Sequence, residues 1–142
     1  MRRSIPTLAI LISLAAPAAA DWDLLAAIEV EEVQVEDRWE ARKTFPDGLA
    51  AAAEGFEITG HVVPVVPDAE LRLFLLVPDP DECPFCGDAG YGPSLEVEMR
   101  DALDAAEGEQ VTLRGDLEFV EDPETWQAVR LTDAVRAAPS GP

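Results

Sequence analysis

The chain has 142 residues, 29 acidic side chains against 10 basic ones, a formal net charge of −19 and 48% hydrophobic residues. That length supports one domain with a modest core. A field this negative argues against nucleic acid and anionic membrane surfaces as partners, and it favours solubility, cations and basic protein surfaces.

In chain order, Arg2 and Arg3 precede the apolar stretch Ile5 to Leu14 and the small residues Ala18-Ala19-Ala20. This is the three-part form of a secretory signal peptide, with cleavage expected after Ala20. The apolar run is too short to span a bilayer, and Pro6 and Pro17 further oppose a transmembrane helix. The Arg pair lacks the surroundings of a twin-Arg signal, and no cysteine follows the run to take a lipid. The expectation is a soluble periplasmic protein without a direct membrane anchor. Residues 1–20 carry two of the basic residues and none of the acidic ones, so the mature chain would carry a net charge of −21.

Residues 21–45 read as an N-terminal arm. Trp22, Leu24, Leu25 and Ile28 suit a helix, whereas Ile28, Val30, Val33 and Val35 sit among glutamates, so the pattern is a short helix or extended arm leading into a strand. After Pro46-Asp47-Gly48, the alanine-rich segment Leu49 to Glu54 predicts one short helix ended by Gly55. From Phe56 the period changes to two: Ile58, Gly60 and Val62 share one face, and Thr59, His61 and Val63 the other, until Pro64 and Pro67. Leu71 to Val77 is almost continuously apolar, as expected of a core strand buried on both faces or at the barrel centre.

Two half-buried strands follow. Leu95, Val97 and Met99 alternate with Glu96 and Glu98, and Val111, Leu113, Leu117 and Phe119 alternate with polar residues. A last strand is suggested around Val129 and Leu131, and residues 137–142 read as a flexible tail. Five short strands and one short helix over residues 46–136 predict a mainly β fold, a small antiparallel OB-like barrel. Gly60 and Gly115 fall mid-strand, where a closed barrel bends sharply; an open sheet with glycines at bulges is the alternative. Trp22, Trp39 and Trp126 are expected as core anchors.

The distinctive chemistry is Cys83-Pro84-Phe85-Cys86-Gly87, followed by a loop with Gly90, Tyr91 and Gly92. Three readings compete for this cysteine pair. Thiol-disulfide exchange would suit the likeness of Cys-Pro-Phe-Cys to the glutaredoxin tetrapeptide, but that chemistry needs the motif to open a helix. A glycine loop follows instead, and Asp79, Asp81, Glu82 and Asp88 would raise a thiol pKa rather than lower it. A metal site would use the tight turn of a zinc-ribbon knuckle to aim both sulfurs at one ion. The remaining ligands would then come from His61, the single histidine, and a carboxylate such as Asp79, Asp81 or Asp88, provided that the strand of His61 neighbours the one ending at Val77-Pro78. A structural disulfide closing a very small loop, contributing roughly 2 kcal/mol or less, is the third reading. No serine–histidine–aspartate pattern or phosphate loop competes with this segment.

The stretch Gly60-His61-Val62-Val63-Pro64, then Leu73-Phe74-Leu75-Leu76-Val77-Pro78 and Cys83, resembles a family of small bacterial periplasmic proteins and lipoproteins known only as a domain of unknown function. The likeness covers Phe56 to Met99, with a looser match from Val111 to Leu131. It implies an OB-like barrel and a non-enzymatic accessory or binding role, beside ABC transporter components and in settings of metal supply, especially zinc. The family pattern continues from the cysteine into a histidine and a proline-rich loop, whereas this chain has Phe85 and a second cysteine at Cys86. Only Cys83 carries over from it. The expected function is therefore a non-enzymatic periplasmic binding protein, with zinc as the expected metal and a transporter component as the expected partner. Thiol-disulfide exchange at Cys83 and Cys86, and a partner-binding module with a purely structural disulfide, are the alternatives.

Overall fold

The computed structural model describes residues 19–67, 70–81 and 93–138. Residues 1–18, which carry most of the proposed signal, lie outside these, as do Cys83, Cys86, Gly87, Gly90, Tyr91, Gly92 and residues 139–142. Two short helices, α1 (Ala19–Ala26) and α2 (Asp47–Ala52), accompany seven strands. A hairpin of β1 (Glu29–Val35) and β2 (Arg38–Thr44) forms its own sheet, and β3 (Phe56–Pro64), β4 (Leu71–Val77), β5 (Leu95–Leu103), β6 (Gln110–Phe119) and β7 (Val129–Arg136) close into a barrel.

The barrel order β3-β4-β5-β7-β6 returns to β3, with β5 and β7 parallel and the other neighbours antiparallel. First, second, third, fifth, fourth is the order of an OB barrel, so the sequence-based fold holds, with one parallel pair inside it. The period-2 pattern explains the core. Ile58, Val62, Phe74, Leu76, Leu95, Val97, Leu113 and Leu131 all point inward and are completely or almost completely buried.

Residues 21–45 hold more structure than an arm leading into one strand. Trp22 and Leu25 of α1 join the barrel core, and Trp22 Nε1 donates to the Thr59 carbonyl at 2.7 Å. The β1–β2 hairpin turns at Glu36-Asp37, with Val35 paired to Arg38 and Glu36 at φ 55°. That turn lacks the glycine or asparagine that favours positive φ, and β2 carries only Trp39 and Ala41 as apolar residues, so neither gave a hairpin signal. The hairpin is tied to the loop between β6 and β7 by Ala41 N–H, which donates to the Pro123 carbonyl at 2.8 Å, and just past β2 Phe45 meets Phe119 at the end of β6 edge to face at 5.0 Å.

Two expectations need correction. Strand β4 does supply the barrel centre, with Phe74 and Leu76 completely buried, but it is not buried on both faces, because Arg72 is exposed and Leu73 is 51% exposed. A barrel wall has a single inner face, so an uninterrupted apolar run must turn some of its side chains outward. Of the three tryptophans only Trp22 is a core anchor; Trp39 and Trp126 are 60% and 54% exposed.

The mid-strand glycines serve close approach rather than an unusual φ. A Cβ on Gly60 would lie 2.7 Å from Leu76 Cγ, 2.8 Å from the Val77 carbonyl oxygen and 2.9 Å from Trp22 Cζ2. On Gly115 it would lie 2.6 Å from the Thr132 carbonyl oxygen, where the β6–β7 register shifts.

Candidate functional site

His61 sits on the outer face of β3, its neighbours Gly60 and Val62 facing inward. Its Cα pairs with Val77 of β4 on one side and with Gln110 of β6 on the other. The strand of His61 therefore does neighbour the one ending at Val77-Pro78. His61 Nδ1 lies 3.0 Å from the Gly108 carbonyl oxygen. A carbonyl only accepts, so Nδ1 carries the proton in this bond and a neutral imidazole keeps its lone pair on Nε2. Metal-binding histidines are commonly held this way, one nitrogen on a backbone carbonyl and the other presented to the ion.

The turn that supplies this carbonyl is itself pinned. Gly108 adopts φ 77°, its N–H donates to the Val62 carbonyl at 2.8 Å, and Val62 N–H donates to the Glu109 carbonyl at 3.0 Å. The Glu109 side chain accepts from Ala106 N–H and from Arg136 Nη2, each at 2.9 Å. These bonds, the Ala106 N–H first, hold the Glu109 carboxyl below its ordinary pKa.

Of the other expected ligands, Asp79 accepts from Asp81 N–H at 2.9 Å and closes a turn just past β4, while Cys83, Cys86 and Asp88 lie outside the described residues. Among the described residues no three histidine, cysteine or acidic side chains converge as a metal cluster.

A second feature is a cleft that no motif in the sequence announces. An open cleft of about 900 Å³ lies on the outer face of β4 and β5, roofed by the loop between β6 and β7 and by residues leading from α1 into β1. Leu25, Ile28, Val30, Leu75 and Val129 supply aliphatic lining, and Trp126 stands at the cleft. Leu75 and Glu96, register partners across β4 and β5, line it, and the row continues from Glu96 to its partner Arg130 on β7. Arg130 Nε is 3.3 Å from Glu96 Oε1, close enough for an ion pair but off the N–H direction, and Arg130 Nη2 reaches Gln127 Oε1 at 3.4 Å. Gln127 Nε2 is shielded from solvent and donates to nothing among the described residues, as is Arg130 Nε in hydrogen-bond terms. A donor left in that state costs about 1–3 kcal/mol. The signal for this cleft is the run Leu73 to Val77 of β4, apolar throughout, opposite the alternating β5: Leu73 and Leu75 face outward once the sheet closes.

A smaller cleft of about 390 Å³ separates β2 from residues 121 and 123. Its lysine is already engaged, since Lys43 Nζ donates to the Val120 carbonyl at 2.8 Å and the Asp122 carbonyl at 2.7 Å. Partial burial pushes the Lys43 pKa down, against the opposing pull of Asp122. The lysine is a clamp between hairpin and barrel.

No family model, curated protein or solved structure matches the chain. No helix among the described residues is long and apolar enough to cross a membrane.

Proposed function

We propose that the chain is a non-enzymatic accessory protein of the periplasm that binds zinc as cargo through Cys83, Cys86 and His61 and handles it beside a transporter component. The observation that carries this reading is the His61–Gly108 bond, which leaves Nε2 as the open nitrogen on the strand paired with Val77. Cys83 follows Val77 by six residues, a span that an extended chain covers in at most about 20 Å. Two thiolates and one imidazole form a soft three-ligand set with a fourth position open to exchange, as delivery of an ion requires. The acidic field of the chain favours the approach of a cation.

The test is zinc titration of the reduced protein in competition with a chelating dye. His61→Ala should weaken binding by about 10-fold or more, and Cys83→Ser with Cys86→Ser should abolish it. Unchanged affinity in the double cysteine variant would overturn the proposal. Disulfide reductase turnover by the same protein would instead favour thiol-disulfide exchange.

A further inference from the structure

We propose that the cleft on β4 and β5 is a docking site for an extended, apolar and cationic segment of a partner protein. In OB barrels the face of the second and third strands, flanked by the loop between the fourth and fifth, is the usual ligand surface. In this chain those strands are β4 and β5, and that loop carries Trp126. The cleft therefore lies where the topology offers a surface not needed for closing the barrel.

Its chemistry selects among ligands. Nucleic acid, a frequent occupant of this face, is repelled by a chain of net charge −19. A glycan would need many hydrogen-bonding groups, whereas the lining at Ile28, Val30, Leu75 and Val129 is aliphatic. Aliphatic side chains fit that lining, and Trp126, 54% exposed, gains a partner when they enter. The lining holds one charged side chain, Glu96, and the chain as a whole is strongly negative. On the outer sheet face Glu96 is engaged with Arg130, whereas Glu98, beside the 51%-exposed Leu73, makes no ion pair among the described residues. Lysine or arginine flanking the apolar residues of the partner matches this pattern. The partner backbone is useful as well, because it supplies carbonyl acceptors beside Gln127, a lining residue whose Nε2 has no acceptor among the described residues.

The experiment titrates the protein with three short peptides: alternating leucine and lysine, alternating leucine and glutamate, and alternating serine and lysine. Calorimetry reads affinity, and the difference in fluorescence between the protein and its Trp126→Ala variant reads the cleft. The leucine–lysine peptide is expected to bind about tenfold or more tighter than the serine–lysine peptide, as burying one or two leucines implies, and tighter than the leucine–glutamate peptide, whose charge has the same sign as the chain's net −19. Trp126 emission should move to shorter wavelength on binding, and Leu75→Gln should weaken binding severalfold while far-ultraviolet dichroism stays unchanged. Equal binding of the serine–lysine peptide would reduce the effect to bulk charge and overturn the proposal. Equal binding of the leucine–glutamate peptide, or displacement by a neutral chitin oligosaccharide, would overturn it too. The cysteines are not involved, so Cys83→Ser with Cys86→Ser should leave peptide binding intact even if zinc binding is lost.

Discussion

Replacing Gly60 by alanine tests the packing at the point where β3, β4 and α1 converge. The added methyl would meet Leu76 Cγ at 2.7 Å, the Val77 carbonyl oxygen at 2.8 Å and Trp22 Cζ2 at 2.9 Å. All three distances are below normal contact, and one partner is backbone held in the barrel ladder. Leu76 is completely buried and Trp22 is fixed by its bond to the Thr59 carbonyl, so neither can swing away freely. Overpacking of this kind costs about 1–3 kcal/mol, and three simultaneous contacts place Gly60→Ala at roughly 2–3 kcal/mol. For a domain of this size that lowers Tm by about 6–15 °C. Urea denaturation followed by circular dichroism should show a lower midpoint with an unchanged m value. The control is Gly48→Ala in α2, where the nearest contact is Leu24 Cδ2 at 3.5 Å and helix propensity favours alanine by about 0.8–1.0 kcal/mol. A Gly60→Ala protein as stable as the parent would refute the convergence of α1, β3 and β4 described above.

Asp133 takes φ 52° in β7 and receives two bonds from Arg100, one from Nε at 2.7 Å, and these hold its carboxyl below the ordinary value of 3.8. A depressed carboxyl stabilises the fold above its unfolded pKa and loses that contribution as pH falls, so Asp133→Asn should flatten the acid limb of the stability curve below about pH 4. Glu109, held down by Ala106 N–H and Arg136, predicts the same sign for Glu109→Gln, together with a weaker grip on the Gly108 turn; acid titration of the urea midpoint checks both. Lys43→Met removes the clamp to the Val120 and Asp122 carbonyls, and amide exchange in β1 and β2 should accelerate while that in β3 to β7 stays constant.

The barrel was legible because inward residues alternate with outward ones along β3, β5 and β6, the pattern that one buried face imposes. The hairpin was hidden because Glu36-Asp37 makes its turn without glycine or asparagine and Arg38 to Thr44 has almost no apolar alternation. Gly60 and Gly115 stand out in the sequence as mid-strand glycines, but their requirement is space beside neighbouring backbone and side chains, a tertiary property that a one-dimensional pattern cannot contain. For the candidate site, the sequence named His61 and the condition on its neighbouring strand, and the Val77 register meets that condition. It could not reveal the Gly108 carbonyl, because the loop between β5 and β6 comes beside β3 only on closure. The cleft escaped for a related reason: Leu75, Glu96 and Arg130 are far apart in the chain and become one row through a parallel crossover.

In the proposed zinc site His61 shares the ion with Cys83 and Cys86. X-ray absorption at the zinc edge of the loaded, reduced protein tests it most directly. The expected first shell contains two sulfurs at about 2.3 Å and at least one imidazole nitrogen at about 2.0–2.1 Å, with the imidazole signature lost in His61→Ala. A shell without sulfur, or an imidazole signature that survives that substitution, would contradict it.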